Sequence, residues 1–298
     1  MQRLRAREIP VMVSQLVVNA LIAAAYYGLI ALSFAYVCRI AGFFHVAHGG
    51  VFTLAAYVTM EFCEADIGLI PASICAVAIA GAVGSAMEAI VFRPLRRRNA
   101  TPEMMLMASF GILIVLQNLY SIAWGDARRA VVARAAEPGL GFLGGRATEL
   151  QLIAIGLSVL ASAGLIVFSR FTFSGLLLRA VSDDLDLARI RGVSSEKAIL
   201  AGFAIASGLM GLAGVLHGLD VGMVPGMGFR ALLVAFAGAL LGGLDRDERA
   251  FAGGVTIGVL EQVAARYLPG QWYESVIFGT LVLILVVRGQ ALLRRQVG

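Results

Sequence analysis

Apolar runs long enough to cross a hydrocarbon layer alternate with short charged clusters along almost the whole chain. A crossing helix takes ~20 apolar residues. Such runs occupy 11–37, 67–92, 104–124, 150–168, 198–219, 222–243, 251–266 and 272–287, which predicts eight transmembrane helices. A barrel would need ~10-residue segments of alternating polarity, and the pattern does not supply them. One further stretch, 40–63, is apolar but short and is interrupted by Gly42, His45, His48, Gly49 and Gly50. It reads as a broken or re-entrant segment buried in protein, the setting in which irregular backbone is tolerated at membrane depth.

The polar clusters orient these runs. Arg3, Arg5 and Arg7 precede the first, Arg93, Arg96, Arg97 and Arg98 end the second, DRDER fills 245–249, and Arg288, Arg294 and Arg295 follow the last. Arginine collects on the cytoplasmic side of membrane helices, so both termini are expected there. A full crossing by 40–63 would place the cluster at 93–98 on the wrong side, which is why that segment is expected not to cross. The stretch 125–149 becomes an external loop. It carries Arg128, Arg129, Arg134 and Arg146 beside Asp126, Glu137 and Glu149.

Composition agrees with the pattern. The 298 residues are 59% hydrophobic and 14% charged, with mean hydropathy +0.86, whereas soluble domains carry about a quarter charged residues. The class is all-α, a polytopic helical membrane protein with one domain over 1–298 and no soluble module. The net charge of +5 is almost wholly arginine, Lys197 being the single lysine. Its placement at span ends argues for contact with the lipid bilayer and against nucleic acid. Cys38, Cys63 and Cys75 lie in or beside apolar runs without a paired framework and read as packing residues. The basic start is followed by an apolar run too long for a cleaved signal.

One polar stretch stands apart. From 169 to 197 the chain carries Arg179, Asp183, Asp184, Asp186, Arg189, Arg191, Glu196 and Lys197, charges too costly to leave unpaired in hydrocarbon. At helical spacing Ala180, Leu187, Ile190 and Val193 share an apolar stripe, with Asp183, Asp184 and Arg191 pointing elsewhere and Gly192 where a helix would end. A short amphipathic helix over 183–192, lying on a partner protein, fits this pattern; a solvated linker is the alternative.

The run GLLLRAVSDDLDLARIRGVSSEKAILAGFAIASGLMGLAGVL, 175–216, resembles the cytoplasmic coupling loop and following helix of the branched-chain amino-acid ABC-importer permeases. GFFHVAHGGVFTLAAYV at 42–58, VFRPLRRR at 91–98, SFGILIVLQNLYSIAWG at 109–125 and the tail at 253–293 resemble that family in the same order. The resemblance implies a permease subunit of an ATP-driven importer in the inner membrane. Its implied partners are cytoplasmic ATPase subunits, a periplasmic substrate-binding protein and a second permease subunit, identical or not. Arg179, Asp183, Asp184, Leu187, Ile190, Arg191 and Gly192 then become candidates for ATPase coupling. In the family the motif at 45–50 usually has asparagine at the position of His45 and glutamate at that of Gly50. HVAHGG departs at both while His48 and Gly49 match, so urea or short amides stay open beside amino acids as solutes.

The short glycine-interrupted segments 40–63 and 222–243 fall at comparable places in the two parts of the chain, as segments flanking a substrate path in transporters do. His45, His48, Gly49, Gly50, Gly226 and Gly228 are the candidate path residues; close packing through small residues is an equal reading. His45 and His48 share a helix face but lack further ligands for a metal. Gln117 and Asn118 read as hydrogen-bonding glue between helices, Glu88 as an interfacial residue near Arg93, and Glu261 and Arg266 as snorkelling near a span end. An ion-coupled transporter would need a midplane ionisable group, for which His45, His48 and Glu61 come nearest. The sequence has no G-x-S-x-G, no H-E-x-x-H and no G-x-x-x-x-G-K-[ST]. A transport subunit without cofactor is expected, with ATP hydrolysed by separate polypeptides.

Overall fold

The computed structural model describes residues 2–131, 139–268, 275 and 277–286, with side chains from Met12 onward. Local sequence sets many of the helix starts. Thr101 caps α5 (Pro102–Trp124), accepting from the Met104 amide, with proline at the first helical position. Thr148 and Gln151 form a reciprocal capping box at the start of α6 (Glu149–Phe171). Before these come α1 (Gln2–Ala41), α2 (His48–Glu64), α3 (Leu69–Met87) and a π-helical turn (Glu88–Phe92) leading into α4 (Arg93–Arg97). Beyond α6 follow α7 (Phe173–Asp183), α8 (Leu185–Ile190), α9 (Ser195–Val221), α10 (Met227–Gly242), α11 (Asp247–Tyr267) and α12 (Ile277–Val286). The β-structure among the described residues is a small antiparallel hairpin, β1 (Leu140–Phe142) with β2 (Gly145–Ala147), and an isolated bridge from Arg129 to Met223.

Within α1, α3 to α4, α5, α6 and α9 lie apolar stretches long enough to cross a membrane, and α10 and α12 are shorter apolar helices. α1 and α9 are the buried centre, while α3, α5 and α6 turn most of their apolar surface outward, where lipid replaces protein. Backbones at the centre approach through small residues, the usual device where lipid removes the hydrophobic drive for helix association. A Cβ on Gly254 or Gly258 of α11 would run into α1 main chain at Tyr27 or Ala23, and Gly238 of α10 sits equally close to Gly254.

The direction of α1 differs from the sequence expectation. Its Ala41 end carries Arg39, which bonds Asp247 Oδ1 at 2.5 Å and the Asp245 carbonyl at 3.2 Å. Its other half meets the hairpin, Gln15 bonding both the amide and the carbonyl of Arg146. The Gln2 end of α1 therefore lies on the hairpin face, opposite the face of Arg93 to Arg98 and α8, and not beside those arginines. Segment 40–63 is corrected with it. From Ala41 the chain turns at Gly42, whose φ of 78° closes α1, passes through 43–47, and continues as α2 to Glu61, which accepts from Trp124 Nε1 at the C-terminal end of α5. The segment is broken, as expected, and it runs from the face of Arg39 to the opposite face of the bundle, at Trp124.

Glu88 is not interfacial. It is fully buried, and Arg96 holds it bidentately at 2.7 and 3.1 Å. Eight residues of regular helix would leave the two side chains about 80° apart around the axis; the wider π turn between them brings them together. Asn118 does not glue helices together, for it is exposed and bonds the Ile114 carbonyl of its own helix.

Candidate functional site

α2 and α10 are short helices of 17 and 16 residues, and their first turns meet inside the bundle. Gly49 and Gly228 touch backbone to backbone: a Cβ on either would strike the carbonyl of the other. The two segments singled out by their glycines are thus brought together, and Gly49 and Gly228 close the gap between them. Gly50 faces the Leu116 side chain of α5, a neighbour that can shift where main chain cannot. Nothing lies within 4 Å of a Cβ built on Gly226, which lines the cavity described below.

His45 and His48 are fully buried in the same place. His48 Nε2 and Ser33 Oγ lie 2.8 Å apart, and that hydroxyl donates to the Ala206 carbonyl at 2.8 Å. His45 Nδ1 is 3.1 Å from Ser109 Oγ, which also accepts the Ala47 amide at 2.8 Å. The rings pack on one another, and that of His45 also packs on Phe92 and Phe203. The pair ties the irregular stretch 43–47 to α1, α5 and α9. Among the described residues no group of three potential metal ligands forms.

On the other flank of α10 the structure opens. A cavity of about 300 Å³ lies between α1, α2, α9 and α10, walled by Ile30, Phe52, Val221, Met227, Ala231 and Val234, with Tyr27, His217, Arg128 and Arg230 as its polar groups. Arg230 stands one turn into α10, its side chain 45% exposed, and its Nη2 donates to Glu261 Oε1 at 2.9 Å. Glu261 is only 4% exposed and its second oxygen has no hydrogen-bond partner. It is a buried ion-pair member, not a snorkelling end group. The sequence reading passed over Arg230 and His217. The available signal was a lone arginine inside the apolar run 222–243, since ionisable residues within spans mark functional positions.

On the face of Arg93 to Arg98 the stretch 169–197 forms two helices, α7 and α8, instead of one over 183–192. Asp184 breaks them: it ends α7 and caps α8, its carboxylate accepting the Asp186 and Leu187 amides at 3.0 and 2.9 Å. Asp183 is the last residue of α7, Arg191 caps the C-terminus of α8, and Gly192 follows with φ 81°. Leu187 and Ile190 project outward, 46% and 83% exposed, while Ala188 packs inward. Ala180 is exposed and Val193 half-buried. Arg179 turns away from that surface into a second cavity of about 440 Å³, which it shares with Arg39, Arg170, Asp245, Asp247 and Glu248.

The family model described as branched-chain amino acid transport system / permease component matches residues 16–286. The chain is 30% identical over 293 residues to the high-affinity branched-chain amino acid transport system permease protein LivH of Escherichia coli, covering 93% of this chain and 94% of that one. It is 29% identical over 298 residues to the corresponding BraD of Pseudomonas aeruginosa, covering 94% and 95%. Among solved structures, PsaBC from Streptococcus pneumoniae in complex with Fab superposes with TM-score 0.52 at 13% identity, covering 90% of each chain; that likeness concerns the fold.

Proposed function

The chain belongs to the branched-chain amino acid transport system permease family, and on that premise we propose that it is the membrane-spanning subunit of an ATP-driven importer of branched-chain or other small amino acids. The ATPases are separate polypeptides docked on α7 and α8, a substrate-binding protein delivers solute at the hairpin face, and a second permease subunit completes the path. In this arrangement α8 lies in the cytoplasm and the Gln2 end of α1 lies outside.

The observation that carries the reading is the pair of exposed aliphatic side chains, Leu187 and Ile190, on a short helix pinned by its Asp184 cap. Aliphatic contacts of this kind anchor a docked helix, and charges at the rim mainly orient it. Movement of α7 reaches the bundle through Arg179, whose Nη2 lies 3.5 Å from the Arg170 carbonyl, and through the cavity it shares with the Arg39 and Asp247 pair. Of the groups nearest to an ion-coupling role, His45 and His48 each contact a serine through one ring nitrogen and bury the other without a partner, and Glu61 accepts from Trp124.

Truncating Leu187 to alanine removes apolar burial of ~1–3 kcal/mol, enough to weaken docking roughly tenfold or more. Co-purification of the ATPase and stimulated ATP hydrolysis should fall together while the permease stays folded. Equal recovery of the ATPase with Leu187→Ala at matched expression would remove α8 as the docking site.

A further inference from the structure

We infer that the cavity beside α10 is a binding site for a solute carboxylate, with Arg230 as the carboxylate-binding group, Glu261 as its positioning residue and the aliphatic wall taking the solute's side chain. The inference rests on the importer reading above and deepens it, since it specifies what a transported amino acid must present to this subunit. A guanidinium carries five donors in a planar fork suited to a carboxylate. Glu261 accepts from Nη2 at 2.9 Å, and the side chain remains 45% exposed where it lines the cavity. Glu261 is buried and comes from α11, so it fixes the fork from behind.

The surroundings favour an anion at this end. Arg128 lines the same cavity, close against Gly222. The first turn of α10, with Gly226 and Met227 in the lining, adds the positive end of a helix dipole. The remaining wall is apolar, from Ile30, Phe52, Val221, Ala231 and Val234. A volume of about 300 Å³ falls at the small end of ligand pockets. A short aliphatic α-amino acid satisfies both halves. Urea and short amides leave the cation and the apolar wall unanswered, so the site selects against the other solutes that the departures in HVAHGG had left open.

The test reads occupancy directly, without the soluble binding protein, whose own selectivity would mask that of the permease. Cys38, Cys63 and Cys75 are replaced by serine and Val224, which lines the cavity and is 36% exposed, by cysteine. The complete transporter in nanodiscs is alkylated with a small hydrophilic maleimide in the presence of L-leucine, leucinamide or urea. Leucine should slow alkylation and leucinamide should need about tenfold higher concentration or more, the loss expected when a charge-assisted hydrogen bond is removed. Arg230→Met should abolish the difference between the two. Arg230→Lys, which keeps the cation and the Glu261 partner but not the fork, should reduce it with assembly intact.

Equal protection by leucine and leucinamide, or a preference unchanged in Arg230→Met and Arg230→Lys, overturns the assignment. So does absence of leucine protection in a transporter that takes up leucine and retains its ATPase. Failure of the unsubstituted transporter both to import amino acids and to bind an ATPase would instead sink the importer reading itself.

Discussion

The two flanks of the first turn of α10 do opposite things with similar materials. On one, Gly228 meets Gly49, and the polar groups nearby, His45 and His48, are fully buried and engaged with Ser109 and Ser33. On the other, two residues further along the same helix, Arg230 faces a cavity of about 300 Å³ and is itself nearly half exposed. Inside a membrane, glycine in backbone contact is the mark of scaffold. The charge on the open flank is held by an ion pair with Glu261 and still presents part of its side chain to the cavity. The histidines that looked most like a path in the sequence lie in the closed flank, and the arginine that attracted no notice lines the open one.

Substitutions on the two flanks would break or sharpen that contrast. The largest effect is expected from Gly228→Leu, since even a Cβ has no room between α2 and α10. Overpacking against main chain costs about 3 kcal/mol or more, so the protein should fail to accumulate in the membrane, as judged by blotting the membrane fraction. Gly49→Leu should do the same, in place of the stable but inactive protein that a purely path-lining glycine implies. Normal amounts of either variant would return this flank to the path.

Ser109→Ala comes next. It deprives both the Ala47 amide and His45 Nδ1 of their partner, at about 1–3 kcal/mol for each buried group. Thermal unfolding in detergent should show a clear drop in Tm, larger than that of Ser33→Ala; an unchanged Tm would mean that the histidine network does not brace the break. The smallest effect belongs to the open flank, where Val224→Ala trims a partly exposed wall residue. Its stability should stay within about 1 kcal/mol of the parent, measured by the same unfolding experiment. A large loss there would show that the cavity wall is packed core.

Some of this was legible along the chain because its causes are local. The run at 104–124 becomes α5 (Pro102–Trp124) and that at 150–168 becomes α6 (Glu149–Phe171), each started by a threonine cap that can be read directly from the sequence. The interruption expected within 40–63 is a break in the structure, at 42–47, and the glycine-rich run 222–243 begins with a non-helical stretch before α10. The end of α7 was also readable, since an aspartate before Leu185 is an N-cap signal; a single helix over 183–192 ignored it.

The polarity of α1 was not legible. Arginines flank both of its ends, so a rule about where positive charge collects cannot choose between them. The choice is made by Asp247, more than two hundred residues from Arg39, which takes the arginine to its own face and sends the other end of the helix to the hairpin.

Thus hydropathy and local polar pattern alone determine an all-helical membrane protein with one broken segment, a second glycine-interrupted one and an exposed amphipathic stretch, because those properties depend on residues a few positions apart. Which break is packed shut and which flank is open was decided only by the fold. Gly49 lies far from Gly228 in the chain, and Arg230 lies 31 positions from Glu261. Only the packing of α2, α10 and α11 against α1 turns these distant residues into a sealed contact on one side and a charged cavity on the other.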